Sequence, residues 1–270
     1  MNVSMMDSYN LAWKLAYTLH GLTPNTSLLD TYHTERSTIA HELIDLDRTF
    51  SSMFSGKIGE QNGSETLSHD QFLTAFNTGH GFTSGCGIEY PENPLVDQTD
   101  IGILPEKREY LSGMLRPGRR LLNVTVKRHA DGSLRDLHDD LYAGRFHVLV
   151  LTSTDVLSAM GVSSSAINIL GAHVLPSFPS VVELTVIHPR LARDFLWGDV
   201  PGVIKDRAEM QFYEGVTMQD VYAVYGIPPE QGIMAVIRPD GYVGTLARLD
   251  DVDRIDEYLR RCLQKVHTMQ

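Results

Sequence analysis

The sequence predicts an α+β protein, a helical piece over residues 1–95 followed by a strand-rich α/β unit over residues 96–270. Three observations carry this. The opening residues read as consecutive amphipathic helices with no strand-like run between them. "RFHVLVLTST" and "SVVELTVIHP" are short apolar runs of the buried-strand kind. The chain then passes through "RPDG", a turn signal between two strand-like runs, into a closing amphipathic helix.

In the first helix Ser4 and Asp7 have the spacing of an N-cap with an acidic residue three positions on. Leu11, Leu15 and Leu19, with Ala12 and Ala16 beside them, make an apolar stripe, and Gly21 and Pro24 end the helix. A second helix follows from a cap at Ser27, with Leu28, Tyr32, Ile39, Leu43, Leu46, Phe50 and Phe54 near one face. "SGKIGEQNGSET" reads as a loop, and "SHDQFLTAFN" as a third helix with Phe72, Leu73 and Phe76 inward. "TGHGFTSGCGIEYPENP" is an irregular crossing segment rich in Gly and Pro. Beyond it, "RRLLNVTV" alternates like a strand, "SSSAINILGAHVL" suggests a helix and "MQDVYAVYGI" a short one. In "DDVDRIDEYLRRCLQKV", Val252, Ile255, Leu259 and Leu263 fall on one face. Strand, helix, strand, hairpin, helix is the order of a thioredoxin-like α/β domain.

At 270 residues the chain can bury one large core or two modest ones, and 42% hydrophobic with 21% charged residues is ordinary for a globular protein. A formal net charge of −11 argues against a nucleic-acid backbone or an anionic membrane surface as partner. No apolar run approaches the roughly 20 residues that span a bilayer, and "MNVSMMDSYN" lacks the pattern of a signal peptide. Cys86 and Cys262 form no C-x-x-C pair, so a reduced, cytoplasmic protein is expected, with a disulfide between them as the alternative.

The thioredoxin-like order invites thiol redox chemistry, but such chemistry needs a low-pKa thiolate at a helix N-terminus with a resolving thiol nearby. Neither cysteine is so placed. Among eleven histidines, His129, His138, His147, His173 and His188 are scattered without the spacing of a metal site, and no metal is expected. His138 in "LRDLHDDLY" lies among Asp136, Asp139 and Asp140. It reads as a solvated polar turn, with an acid/base pair as the sharper alternative. There is no G-x-G-x-x-G cradle, P-loop or G-x-S-x-G elbow. Tyr32, Phe50, Phe54, Phe72 and Phe76 read as helix core, with a cavity for a flat aromatic ligand as the alternative.

Several runs together resemble one family. "MNVSMMDSYNLAWKLAYTL" is similar to the "GMN…DA.NLAWKL" segment of class A flavin monooxygenases, and "LLDTYHTERSTIA" to the helix that follows it there. "FTSGCGIEY", "RPGRRLLNVTVKRHADG", "GRFHVLVL", "AEMQFYEGV", "DVYAVYGI" and "AVIRPDGYVG" resemble the C-terminal half of the fungal phenol 2-monooxygenase group. The resemblance implies a thioredoxin-like domain used in dimer contacts, hence a homodimer. It also implies that Met1 and Asn2, at the helix end facing the flavin ring, are the flavin contacts to carry over.

The family's glycine-rich ADP motif, its "GD" motif and its substrate-holding sheet have no counterpart in the sequence. From this the chain is expected to be a truncated relative, with a fragment of a longer hydroxylase as the alternative. No FAD is expected to bind it alone, and no catalytic residue carries over. The first functional expectation is non-oxidative action, as cyclase, isomerase or binding partner, on an aromatic or polyketide-like intermediate of fungal secondary metabolism. The alternatives are FAD- and NADPH-dependent aromatic hydroxylation, of which this is the C-terminal portion, and a structural dimerisation module.

Overall fold

A computed structural model describes residues 2–54, 79, 81, 82, 84–102, 115–141, 143–189 and 195–265. Met1, the loop after the second helix and the expected third helix with Phe72, Leu73 and Phe76 lie outside the described residues. Two helices come first, α1 (Asn2–Leu19) and α2 (Ser27–Phe54). The sheet is built from β1 (Thr125–Arg128), β2 (Leu134–Asp136), β3 (Phe146–Leu151), β4 (Val182–His188), β5 (Phe212–Gly215), β6 (Ile233–Ile237) and β7 (Val243–Ala247). Between and after the strands come α3 (Leu137–Leu141), α4 (Val162–Ile169), α5 (Gly202–Arg207), α6 (Val221–Tyr225) and α7 (Val252–Cys262).

The strand order is β2-β1-β5-β4-β3-β6-β7. β3 and β4 are parallel, joined through α4, while β6 and β7 form an antiparallel hairpin leading to α7. That β-α-β plus β-β-α arrangement is the thioredoxin-like order, so the α+β fold is as expected. β3 is buried along its whole length and β4 nearly so, which explains why each reads as a continuous apolar run.

"RRLLNVTV" is placed differently. Its strand starts at Thr125 and runs to Arg128, pairing with β2 in a short hairpin and with β5 on its other side. Arg119 and Arg120 instead make isolated bridges to Glu89 and Tyr242. The crossing segment is tied down here: Tyr90 N–H donates to the Gly118 carbonyl at 2.9 Å, and a Cβ on Gly118, whose φ is +84°, would lie 2.4 Å from the Tyr90 carbonyl oxygen.

The first helix corrects two expectations. It is already helical at Asn2, so Ser4 lies inside it rather than capping it, and Asp7 is drawn into an ion pair with Arg36 of α2. The buried face is Asn10, Trp13, Lys14 and Tyr17, not the leucine stripe. Leu15 is 40% and Leu19 83% exposed. Aromatic rings bury more surface per residue than leucine. Trp13 and Tyr17 pack edge-on against each other and against Phe146 at the start of β3, with centroids 5.5–5.7 Å apart. Tyr17 Oη donates to the Gly144 carbonyl at 3.0 Å. The helices therefore share one core with the sheet.

In α2, Leu28 and Ile39 are buried and Tyr32, Leu43, Leu46 and Phe50 half-buried, as the period predicts. Ser27 is the first helical residue, and its N–H is capped by Asn25 Oδ1 at 3.0 Å. In α7, Val252, Ile255 and Leu259 face the core as read. Asp220 caps α6 through the N–H groups of Tyr222 and Ala223, and Gly226 closes it in the left-handed region.

Candidate functional site

The end of α1 that begins at Asn2 borders a groove of about 300 Å³. Met5, Met6 and Tyr9 of α1, Ser84 of the crossing segment, and Arg120 and Tyr242 of the sheet side line it, with Asn10 and Asp240 at its floor. Asn2 is exposed on the rim. Met1, its partner in the expected flavin contact, lies outside the described residues.

Beneath the groove lies a group of charges buried from solvent. Glu35 of α2 sits at its centre. Its Oε1 accepts from Arg238 Nη1 at 2.6 Å, and its Oε2 from Lys14 Nζ at 2.8 Å, Arg238 Nη2 at 3.0 Å and Asn10 Nδ2 at 2.8 Å. Asp240, at the β6–β7 turn, accepts from Arg238 Nε at 3.0 Å and Nη2 at 2.6 Å, from Trp13 Nε1 at 3.0 Å and from Asn10 Nδ2 at 3.2 Å. Lys14 and Arg238 thus face Glu35 and Asp240, two charges of each sign. Pairing and hydrogen bonding of this kind are what make buried ions tolerable.

Aromatic rings enclose the cluster. Arg238 lies 5.5–5.7 Å from the ring centroids of Trp13, Tyr90 and Tyr242. Tyr90 and Tyr242 stack at 4.4 Å, and Tyr90 Oη accepts from Arg36 Nη1 at 2.9 Å.

The titrations follow from this geometry. Burial pushes the Glu35 carboxyl up, but Arg238 and Lys14 together outweigh it and hold it down at about 2. Burial, then the like charge of Arg238, pushes the Lys14 ammonium down to about 8 against the pull of Glu35. At pH 7 Glu35 is ionised and Lys14 is mostly protonated. The cluster's groups are engaged with each other and tie α1, α2 and the β6–β7 turn together.

Sequence reasoning missed this cluster. The available signal was a charge inside each of three apolar contexts: Lys14 in register with Asn10, Trp13 and Tyr17, Glu35 one turn before Ile39, and Arg238 directly after a fully buried strand. The other expected features fall elsewhere. Among the described residues Cys86 is half-buried and Cys262 buried, both free. The N-terminus of α4, which follows β3, is held by Asp155, accepting from Val162 N at 2.5 Å and Ser163 N at 3.3 Å. In "LRDLHDDLY", Asp140 bonds Arg128, Arg135 and Tyr213, and His138 Nε2 meets the Leu121 carbonyl at 2.8 Å. This is a structured corner of β2 and α3 rather than a solvated turn. His129 and His188, far apart in sequence, come together with Glu214.

Two family models match the chain. Residues 88–267 match the phenol hydroxylase C-terminal dimerisation domain, and residues 1–47 match an FAD binding domain. The chain is 32% identical over 263 residues to the flavin-dependent oxygenase ucdD of Aspergillus ustus, covering 91% of this chain and 38% of that protein. It is 29% identical over 272 residues to the phenol 2-monooxygenase fsqG of Aspergillus fumigatus, covering 96% of this chain and 44% of that protein. A solved ternary complex of aklavinone-11 hydroxylase with FAD and aklavinone shares the fold at a TM-score of 0.57 and 22% identity, over 96% of this chain and 39% of that one. The chain spans less than half the length of these relatives. With the dimerisation domain matched over most of its length, the chain belongs to the FAD-dependent aromatic monooxygenase family that carries the phenol hydroxylase C-terminal domain.

Proposed function

We propose that this chain is the clamping and dimer-forming part of an FAD-dependent aromatic hydroxylase, working with an FAD-binding portion that supplies the dinucleotide cradle. The observation that carries the reading is the buried Glu35–Arg238 pair. It locks α1 and α2, the stretch similar to an FAD binding domain, onto the β6–β7 hairpin of the part similar to a dimerisation domain. The N-terminal end of α1 is thereby held at a fixed place on the sheet. Its first-turn N–H groups have no partners within the helix and favour negative charge.

The described residues fit one edge of a flavin ring and no more. A groove of about 300 Å³ is at the lower end for a small-molecule site, and no glycine-rich strand-to-helix turn is present for a pyrophosphate. The chain's own contribution is positional: it presents Asn2 and the helix end, walls the groove with Met5, Met6, Tyr9 and Tyr242, and pairs with a second copy.

A second reading is non-oxidative action, as cyclase, isomerase or binding partner, on an aromatic or polyketide-like molecule. The groove favours it, because apolar and aromatic walls converge on few polar groups, and Asn10 Oδ1 has no protein partner. One experiment separates the two. The purified chain is compared, for flavin retention and product formation, with the same chain co-expressed with the N-terminal portion of a relative. The first reading expects a dimer that retains flavin only in the co-expressed form. Anaerobic, flavin-free conversion of an aromatic compound by the chain alone would replace it with the second.

A further inference from the structure

Away from the groove, the β1–β5–β4 part of the sheet brings three metal-ligating side chains to one point. Side chains alternate across a strand, and the register does the rest. His188 ends β4 directly beside Glu214 of β5. Glu214 faces Lys127 of β1, and His129, two residues on, continues that ladder with its N–H on the Phe212 carbonyl at 2.9 Å. Lys127, His129, Phe212, Glu214 and His188 therefore share one face of the sheet.

One ligand atom from each of His129, His188 and Glu214 lies within 4.8 Å of the others. His188 is buried, and His129 and Glu214 are half-buried. The His129 ring stacks on Phe212 at 4.7 Å and meets Phe195 edge-on at 5.1 Å, so aromatic rings wall the point.

The hydrogen bonds set which nitrogens are bare. His188 Nδ1 lies 2.5 Å from the Pro189 carbonyl oxygen, which can only accept. The proton of the neutral ring is therefore on Nδ1, and Nε2 carries a lone pair. Fixing one ring nitrogen by a carbonyl so that the other is a free base is how histidine ligands of metals are oriented. That bare Nε2 points at His129 Nε2, 2.5 Å away, with the Glu214 carboxylate beside them. His129 Nε2 meets that lone pair either as an N–H donor or, in its other tautomer, as a second lone pair across a bound cation, with the Glu214 carboxylate, paired on its outer side with Lys127, as the third donor.

We propose that His129, His188 and Glu214 form a binding site for a divalent transition-metal ion, with zinc as its occupant. Two imidazoles and one carboxylate are a donor set suited to zinc and its neighbours, rather than to magnesium or calcium, and leave a fourth position open. At a Zn–N distance of about 2.0–2.1 Å a tetrahedral ion sets two nitrogens about 3.3 Å apart. The rings must separate by roughly 1 Å, which the half-buried His129 can supply. The site is independent of the aromatic groove and of the flavin chemistry of the family.

The test is calorimetric titration of the whole chain with zinc chloride in a non-chelating buffer, with cobalt(II) absorption as a second readout. One equivalent is expected to bind, with visible bands of low-coordinate cobalt. His129→Ala and Glu214→Gln, both at half-buried positions, are expected to weaken binding at least tenfold while melting with the wild type in the absence of metal. Lys127→Ala frees the carboxylate from its 2.8 Å ion pair and is expected to bind zinc at least as tightly. Magnesium at the same concentration is expected to give no heat. The proposal is overturned if the wild type binds no zinc, the result expected of a proton shared between the two rings. Binding that survives both ligand substitutions, or that falls in Lys127→Ala as far as in Glu214→Gln, overturns it as well.

Discussion

Arg238 and Glu35 meet through two parallel hydrogen bonds of 2.6 and 3.0 Å, although 203 positions separate them in the chain and neither side chain is exposed. A planar guanidinium matched to a carboxylate is the strongest form of ion pair that side chains make. Here it fastens the second helix to the turn of the last hairpin. Its neighbours Lys14 and Asp240 keep the group neutral as a whole, so removing one member leaves a buried charge without its partner.

Replacing Glu35 by Gln should therefore destabilise the fold by about 3–5 kcal/mol, the range for breaking a buried pair at one end. Two cations, Lys14 and Arg238, would then face the single remaining anion Asp240. Guanidinium unfolding of wild type and variant measures the difference. A change within the scatter of surface substitutions would show that the cluster is hydrated and is not a clamp.

Below pH 4.5 acid should destabilise the protein through Glu35. Its pKa is about 2 in the fold against 4.5 for a free glutamate. The unfolded chain thus binds the proton first, and stability present above pH 4.5 is lost as pH falls toward 2. The shift corresponds to roughly 3 kcal/mol. His147, which burial holds at about 4 against an ordinary 6.5, acts in the same direction between pH 6.5 and 4. Stability measured from pH 7 to 3 should fall throughout, and Glu35→Gln should fall less below 4.5. An unchanged slope in that variant would assign the acid limb elsewhere.

The two thiols should differ sharply in reactivity. Burial pushes the Cys262 thiol up to about 11, so almost none of it is thiolate at neutral pH, whereas Cys86 is half-buried. A thiol reagent should modify one cysteine in the native chain and two after denaturation. Two fast native thiols would contradict the packing of α7 on the crossing segment, where Cys262 Sγ lies 3.9 Å from the Pro94 carbonyl, and none would contradict the partial exposure of Cys86.

The part similar to a dimerisation domain, and the exposed Met5, Tyr9, Leu15 and Leu19 of α1, lead to a homodimer. Light scattering should give twice the 30.2 kDa chain mass at micromolar concentration. A monomer across that range would remove self-association from the proposed function.

What could be read from the residues was what depends on local pattern. β3, β4, the "RPDG" hairpin and α7 carry their period or turn chemistry in consecutive residues, and they stand where that chemistry puts them. The face of α1 was misread because its leucines make the more regular stripe, while the burial is decided by Trp13 and Tyr17 meeting Phe146 and by Lys14 meeting Glu35. Those partners are remote in sequence. β5 was not read as a strand because its four residues, Phe212–Gly215, follow no alternation long enough to notice. The charged clamp needs Lys14, Glu35 and Arg238 at one point, and the histidine–glutamate cluster needs three strands in register. Each is a tertiary fact that no single window of the sequence contains.

An FAD site needs a cradle for the pyrophosphate, usually backbone N–H groups of a glycine-rich turn at a helix N-terminus. It also needs walls for the ring. The end of α1 and the groove beside it offer part of the second requirement alone. With no glycine-rich pyrophosphate turn in its sequence, the isolated chain should leave gel filtration with substoichiometric FAD. It should give no NADPH-dependent hydroxylation of phenols above the background of free flavin. Supplying the N-terminal portion of a relative should restore retention, and Arg238→Ala in this chain should abolish the restoration by releasing α1 and α2 from the sheet. Circular dichroism of that variant must show the remaining fold intact for the comparison to count. Stoichiometric flavin on the isolated chain would mean that the helix end and the groove hold the cofactor by themselves, and the division of labour proposed here would be wrong.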